Sequence, residues 1–196
     1  MTRGLDDVIR EADAGQPAAV DDLFAMFYAE LHRLAERQLR GGGADLTLGA
    51  TTLLHETYLN LAGREGTRFP DRGRFLAYAA RAMRGLIIDF ARRRRAVKRG
   101  SEFVITGTGI EEAATPAVAD TVELEQLDGA LDELALADRA LAELVDLHFF
   151  GGFTLREIAA MRGLSVRTLQ RDWRKARLLL YHVMSGSDAE DVDAEA

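Results

Sequence analysis

The sequence predicts an all-α protein with two small helical domains joined by a flexible acidic linker. Apolar residues recur at three- and four-residue steps through most of the 196 residues, which is the period of amphipathic helices. Glycine and proline separate these stripes where helices are expected to begin or end. We expect a helical domain at 1–99, a linker at 100–121, a second helical domain at 122–184 and an acidic, disordered tail at 185–196.

In the first domain, four apolar stripes predict four helices. A short helix is expected at residues 5–14, and Pro17 stands in the first turn of a long helix that ends near Arg40. A third helix covers residues 50–62, and a polar loop at 63–73 leads into a second long helix. The two long helices are expected to bury one apolar face each: Val20, Leu23, Phe24, Phe27, Leu31, Leu34 and Leu39 in the first, and Phe75, Leu76, Ala79, Met83, Leu86, Ile87 and Phe90 in the second.

The second domain begins with two predicted helices, one from Val122 through Leu134 and one from Leu141 to Phe150. After them, residues 154–184 read as a short helix, a tight turn and a longer helix. Thr154 and Glu157 have the capping-box spacing, Gly163 can take the left-handed conformation that ends a helix, and Ser165 is a good cap for the next helix.

The order of residue types in this stretch is typical of a helix-turn-helix. Ala159 allows close approach of the two helices, Gly163 makes the turn and Leu169 anchors the second helix. The opposite face of the second helix is cationic and polar, as expected for a helix that reads the DNA major groove. An αα-hairpin whose outer face is basic by coincidence is the alternative, but cap, turn, buried stripe and cationic face agree here.

The charges are separated along the chain. The formal net charge is −7, which counts against nucleic-acid binding when it is spread evenly. Here acids crowd residues 102–138 and the tail, whereas arginines crowd residues 72–99 and 162–177. Two basic zones with an acidic zone between them are typical of a protein that binds DNA at two places.

An aromatic residue lies among the arginines of the first basic zone. At about 100° per residue, Arg74, Tyr78, Arg81 and Arg92 fall on nearly the same face of their helix. Bases stack on aromatic rings while cations meet phosphates, so this face suits single-stranded or melted DNA. The alternative is a solvated helix end, where cations meet the negative end of the helix dipole.

The sequence contains no recognisable motif for catalysis, cofactor binding or metal binding. It contains no cysteine, and its four histidines are far apart. His55 and Glu56 begin like a zinc-protease helix, but residue 59 is leucine, so the second ligand is missing. No apolar signal core or membrane-length run is present, so we expect a cytoplasmic protein that is not an enzyme.

Three stretches resemble the extracytoplasmic-function (ECF) group of bacterial sigma-70 family factors, over about residues 5–184. Residues 50–59 are similar to the region-two helix that docks on the clamp of core RNA polymerase. Residues 74–93 are similar to the helix that faces the minus-ten element, and residues 155–177 to the region-four reader of the minus-thirty-five element.

The resemblance implies that the protein directs promoter-specific initiation by core RNA polymerase, with the loop at 63–74 receiving a flipped base. Minus-thirty-five contacts in the major groove are implied for Ser165, Arg167, Thr168, Gln170, Arg171, Arg174, Lys175 and Arg177. Minus-ten contacts are implied for Arg68, Arg72, Arg74, Tyr78, Arg81, Arg84, Arg92 and Arg93. Polymerase contacts are implied for Thr51, Thr52, His55, Glu56, Leu59 and Asn60.

Three departures from the family pattern stand out. Many members have tryptophan where Tyr78 stands and asparagine where Gly85 stands. The clamp-docking helix usually begins with an acidic cluster, whereas residues 49–52 here are Gly-Ala-Thr-Thr. We hypothesise that a Ser/Thr kinase restores the missing charge by phosphorylating Thr51 or Thr52. The alternative is that one of these threonines is simply the N-cap.

The expected partners are thus promoter DNA, core polymerase, an anti-sigma factor and a kinase. We expect the free protein to be a monomer that associates with the nucleoid when it is active. The competing function is a polymerase-independent helix-turn-helix regulator with a helical sensor domain, which would need a dimer surface and a ligand pocket. A nucleic-acid enzyme is a third class, disfavoured by the missing metal ligands.

Overall fold

The computed structural model describes residues 4–41, 48–62, 68–102 and 116–193. Within these ranges every regular element is helical, so the predicted all-α class is confirmed. The α-helices are α1 Leu5–Asp13, α2 Pro17–Met26, α3 Tyr28–Gly41, α4 Ala50–Ala62, α5 Arg72–Glu102, α6 Pro116–Ala137, α7 Arg139–Val145, α8 Leu155–Arg162 and α9 Val166–Asp193. Helix α7 continues as a π-helical turn, Asp146–Phe150.

The predicted helix that ends near Arg40 is two helices, so the prediction of one element was wrong. Phe27 leaves the α-helical region (φ −102°, ψ 14°) between α2 and α3. Its N–H still donates to Leu23 O and its carbonyl still accepts from Leu31 N, both at 2.9 Å. The interruption is therefore local, and the apolar stripe from Val20 to Leu34 is buried on both sides of it.

Helix α5 lies at the centre of the first half, against α3 and α4. Its Phe75 is fully buried and contacts three other rings edge-on or tilted, at centroid distances of 5.3–6.4 Å. Those rings belong to Phe24, Phe27 and Phe69. Leu86 and Phe90, expected in the core, are only half-buried because they lie at the margin of this face.

The second half has a core of its own between α6, α7 and α9, formed by Ala130, Leu131, Leu134, Leu141, Ala142, Val145, Phe150, Ala176 and Leu180. Five other buried residues of this half join the core of the first half instead: Leu144, Leu147, Ile158, Ala159 and Leu169. The two halves are therefore packed together in the free chain, through the π-helical turn and α8. The boundaries 1–99 and 122–184 stay a prediction.

Both ends of the predicted linker at 100–121 are helical, which corrects that prediction. Helix α5 extends to Glu102, and α6 begins at Pro116. A proline suits the first position of a helix, where its missing N–H has no intrahelical partner. Residues 103–115 lie outside the described residues.

Helix α9 reaches Asp193, whereas the sequence predicted disorder from 185 onward. No proline interrupts the segment, so no residue in it is sterically barred from continuing the helix. Among the described residues, no helix has the length and apolar character needed to cross a membrane.

We predict that Phe75→Ala lowers the free energy of unfolding by about 3–5 kcal/mol, because it removes the ring around which the first core is packed. The measurement is urea denaturation of both proteins.

Leu136→Ala is the control, because Leu136 is 91% exposed and its truncation should change the free energy by less than about 0.5 kcal/mol. Equal losses in the two variants would contradict the described core.

Candidate nucleic-acid interface

The helix-turn-helix begins with a complete capping box. The Thr154 hydroxyl accepts from the Glu157 N–H at 3.2 Å, and the Glu157 carboxylate accepts from the Thr154 N–H at 2.7 Å. The backbone N–H and the hydroxyl of Thr154 both stabilise the ionised carboxylate, and they lower the pKa of Glu157. The start of α8 is thus fixed by the residues that predicted it.

The turn between α8 and α9 also has the predicted geometry. Gly163 takes the left-handed conformation (φ 63°), which a side chain would disfavour. The Ser165 hydroxyl accepts from the Thr168 N–H at 3.0 Å and so caps α9. Ala159 and Leu169 are buried between the helices, as their spacing predicted.

The face of α9 that was predicted to read the major groove is open to solvent. Of the eight residues predicted to contact DNA there, Thr168 is half-buried. The other seven are exposed: Ser165, Arg167, Gln170, Arg171, Arg174, Lys175 and Arg177. Some of these cations have acidic neighbours inside the chain. Lys175 lies 3.1 Å from Asp138, the N-cap of α7, and Arg171 lies 3.3 Å from Asp172.

The arginines of α5 have a different environment, because acids from the second half cover them. Arg74 lies 3.9 Å from Glu143, Arg81 lies 2.8 Å from Asp132, and Arg92 lies 3.1 Å from Glu125. We call Arg74, Arg81, Arg84 and Arg92 the arginine face, and Glu125, Asp128, Asp132, Glu143 and Asp146 the acidic strip. Because the pairs all join α5 to α6, α7 and the π-helical turn, these arginines share one side of α5.

Arg84 is the buried member of the arginine face. Its side chain is 3% exposed; Nε donates to Asp128 Oδ1 at 2.8 Å, and Nη1 donates to Asp146 Oδ1. The guanidinium also lies over the Phe150 ring, 4.9 Å from its centroid. Arg84 was expected among the minus-ten contacts; in this arrangement of the halves, α6 and the π-helical turn enclose it, and its DNA contact stays a prediction.

Asp146, whose side chain is 5% exposed, was not among the residues predicted from the sequence. Burial raises the pKa of the Asp146 carboxyl to about 6, although the Arg84 guanidinium acts in the opposite direction. A signal was present, because Asp146 stands between Val145 and Leu147 in a stripe that is otherwise apolar. A lone acid inside such a stripe predicts a buried partner cation.

The remaining minus-ten candidates divide between a cavity and the protein surface. A cavity of about 420 Å³ lies between the halves, and its lining includes Arg68, Tyr78 and Arg81. Arg72 is directed elsewhere: it lies over the Phe27 ring at 5.1 Å. Exposed Arg93 donates to the carbonyl of the residue four positions earlier, at 3.3 Å. Residues 63–67 of the predicted base-receiving loop lie outside the described residues.

The predicted polymerase-docking helix, α4, begins at Ala50, so Gly49 takes the N-cap position. Thr51 and Thr52 are then first-turn residues, both exposed, and neither is the N-cap. His55, Glu56 and Leu59 are also exposed, and Asn60 is half-buried. On another side of the helix, the Tyr58 hydroxyl donates to Asp21 at 2.9 Å, which ties α4 to α2.

Within the described ranges, no group of three or more His, Cys, Asp or Glu side chains is arranged to hold a metal ion.

The model of a family described as "ECF sigma factor" matches residues 3–185, which is most of the chain and includes α1 through α8 and most of α9. No curated protein matches the sequence significantly.

The buried Asp146 makes stability depend on pH. Its folded pKa of about 6 lies above the ordinary 3.8, so between pH 4 and 6 the folded chain holds a proton that the unfolded chain has released. The contribution of Asp146 to stability is therefore lost as the pH rises through this window.

Asp146→Asn removes this proton while keeping the shape of the side chain. We expect the free energy of unfolding of the wild type, minus that of the variant, to fall by up to about 1.4 kcal/mol per pH unit between pH 4 and 6. It should be flat above pH 7. Urea denaturation at each pH measures it, and a constant difference from pH 4 to 8 would contradict the assignment.

Proposed function

Since the chain belongs to the ECF sigma factor family, we propose that it binds core RNA polymerase through α4 and directs it to promoters read by α5 and α9. A sigma factor has a role in transcription initiation, and ECF sigma factors bind core polymerase, promoter DNA and anti-sigma factors. The assignment of each contact to a helix of this chain is our proposal, as are its cytoplasmic location and its monomeric free state.

The observation that carries the proposal is the open cationic face of α9 behind a capped, glycine-turned helix-turn-helix. Arg167, Gln170, Arg171 and Arg174 are exposed near its start, and arginine and glutamine pair well with guanine and adenine edges. Lys175 and Arg177 lie farther along the helix and suit phosphates, which position the protein without reading sequence.

The arginine face and Tyr78 support a role in holding the opened minus-ten strand. Tyr78 is half-buried, borders the cavity between the halves and contacts Phe69 edge-on at 5.5 Å. A ring held in this way, with Arg74 and Arg81 beside it, offers a stacking surface next to cations. Arg68, Arg72, Arg84 and Arg93 complete the proposed minus-ten set.

The proposed clamp-docking surface is the exposed side of α4. The first turn of this helix contains no acidic residue, and Thr51 and Thr52 are exposed there. A phosphate adds about −1.5 to −2 charges and is favoured by the helix dipole at this end. We therefore propose that a Ser/Thr kinase activates the protein at Thr51 or Thr52 by supplying the charge that the docking helix lacks.

Transcription with purified core polymerase tests the function. We expect specific transcripts from a promoter library when polymerase is present, with activating phosphorylation in place. Arg171→Ala should lose about 1–3 kcal/mol of discrimination at one base pair of the upstream element.

Arg10→Ala is the matched control, because Arg10 is an exposed arginine of α1 outside the proposed interface, and its promoter preference should be unchanged. Binding to palindromic DNA as a dimer, with no transcripts under any condition, would favour the polymerase-independent regulator instead.

Phosphorylation is tested by polymerase affinity. Thr51→Asp and the phosphorylated protein should bind core polymerase more tightly than Thr51→Asn, which matches aspartate in shape but has no charge. A gain of roughly 0.2–1 kcal/mol is expected for one added charge that meets a cation of the clamp at an exposed contact.

The same series at Thr52 decides between the two sites. Equal polymerase affinity of the Asp, Asn and phosphorylated forms at both positions would reject the kinase proposal, and the transcription test would be unaffected.

A further inference from the structure

The arginine face of α5 and the acidic strip meet in a regular order. Arg81 pairs with Asp132, Arg84 with Asp128, and Arg92 with Glu125. As the residue numbers rise along α5, those of the partners fall along α6. The two helices therefore run antiparallel at this contact, with their charges in register.

We propose that this contact is autoinhibitory: in the free protein the acidic strip occupies the arginine face and competes with opened promoter DNA for the same cations. The inference rests on the proposed role of α5 in binding the minus-ten strand. Carboxylates and phosphates both accept charge-assisted hydrogen bonds from guanidinium groups, so one set of arginines serves either partner but not both at once.

The contact has an exposed margin and a buried centre. Arg81 and Asp132 are each about half exposed, and a pair of this kind contributes little because water competes for it. Arg84 is enclosed between Asp128, Asp146 and the Phe150 ring. Removing one side of a buried pair leaves an uncompensated charge, which is costly. The centre therefore holds the halves together, and the margin sets their register.

The same contact forms one wall of the cavity that borders Tyr78. Its lining combines Arg68, Phe69 and Tyr78 from the first half with Arg139 and Glu143 from the second. Glu143 also lies within 4 Å of arginines on three helices, Arg74, Arg139 and Arg162. In the closed arrangement, residues of α7 therefore line the same cavity as this half-buried ring.

Energy transfer between two dyes measures closure directly. The chain contains no cysteine, so a variant with both Ala25→Cys and Tyr181→Cys has one labelling site on α2 and one on α9. Both positions are exposed. Asp128→Lys/Asp132→Lys turns attraction at the contact into repulsion, and we expect a clear fall in transfer efficiency. Gln126→Lys/Glu133→Lys, at exposed positions of the same helix, is the control and should keep the wild-type efficiency.

Exchanging the charges separates closure from misfolding. Arg81→Glu added to the two lysines should recover part of the transfer efficiency, because the pair between residues 81 and 132 is remade with opposite polarity while Arg84 keeps Asp146. If the lysine variant unfolds, its helical circular dichroism will fall. If only the charge pairing is lost, the circular dichroism will stay at the wild-type level and the exchanged variant will recover part of the transfer efficiency.

Binding of fluorescent single-stranded DNA of random sequence, without polymerase, measures the competition. The opened lysine variant should bind roughly tenfold more tightly than the control, a gain that salt weakens because it is electrostatic. Unchanged transfer efficiency, or opening with unchanged DNA affinity, would overturn the inference. A lack of transcripts with core polymerase would count against the proposed function alone, because neither of these measurements uses polymerase.

Discussion

The structure depends on one buried cation. Arg84 is placed where α5, α6 and the π-helical turn meet, with Asp128 on one side and Asp146 on the other. A guanidinium removed from water requires such partners, and here they come from elements 44 and 62 residues away in sequence. Burial of Arg84 therefore fixes how the second half sits on the first. The apolar residues Leu144 and Leu147 reinforce that position by joining the first core.

The pairing of α5 with α6 explains why the chain combines arginine-rich segments with a negative net charge. A net charge of −7 counts against nucleic-acid binding when it is spread evenly, whereas we propose two basic DNA-binding surfaces. The acids of α6 are not merely a solvated face, since Glu125, Asp128 and Asp132 stand opposite arginines of α5. The acidic zone thus compensates the first basic zone, while the second zone on α9 stays largely exposed.

Sequence periodicity predicted what is local and missed what joins distant elements. Thr154, Gly163 and Leu169 specify the helix-turn-helix through neighbours within a few turns, so their spacing was sufficient. The break at Phe27 was missed because the apolar stripe continues across it. The burial of Arg84 was missed for a deeper reason. Its position on α5 shows which face it occupies, but no pattern within α5 indicates which other helix covers that face. The lone acid at 146 was the available clue.

The two proposed DNA-binding surfaces consequently differ in availability. The reading face of α9 needs no rearrangement to meet duplex DNA, because its side chains already extend into solvent. The arginine face of α5 meets DNA only when the acidic strip leaves it. If α4 binds polymerase as we propose, the two halves must separate before both surfaces can reach one promoter. Separation exposes Arg84, and DNA phosphates would then replace Asp128 and Asp146 as its partners. Opened DNA provides those phosphates, whereas in the free chain the arginines have only the acidic strip as a partner. Covering of the arginine face by the acidic strip therefore restricts capture of the DNA strand to the polymerase-bound state.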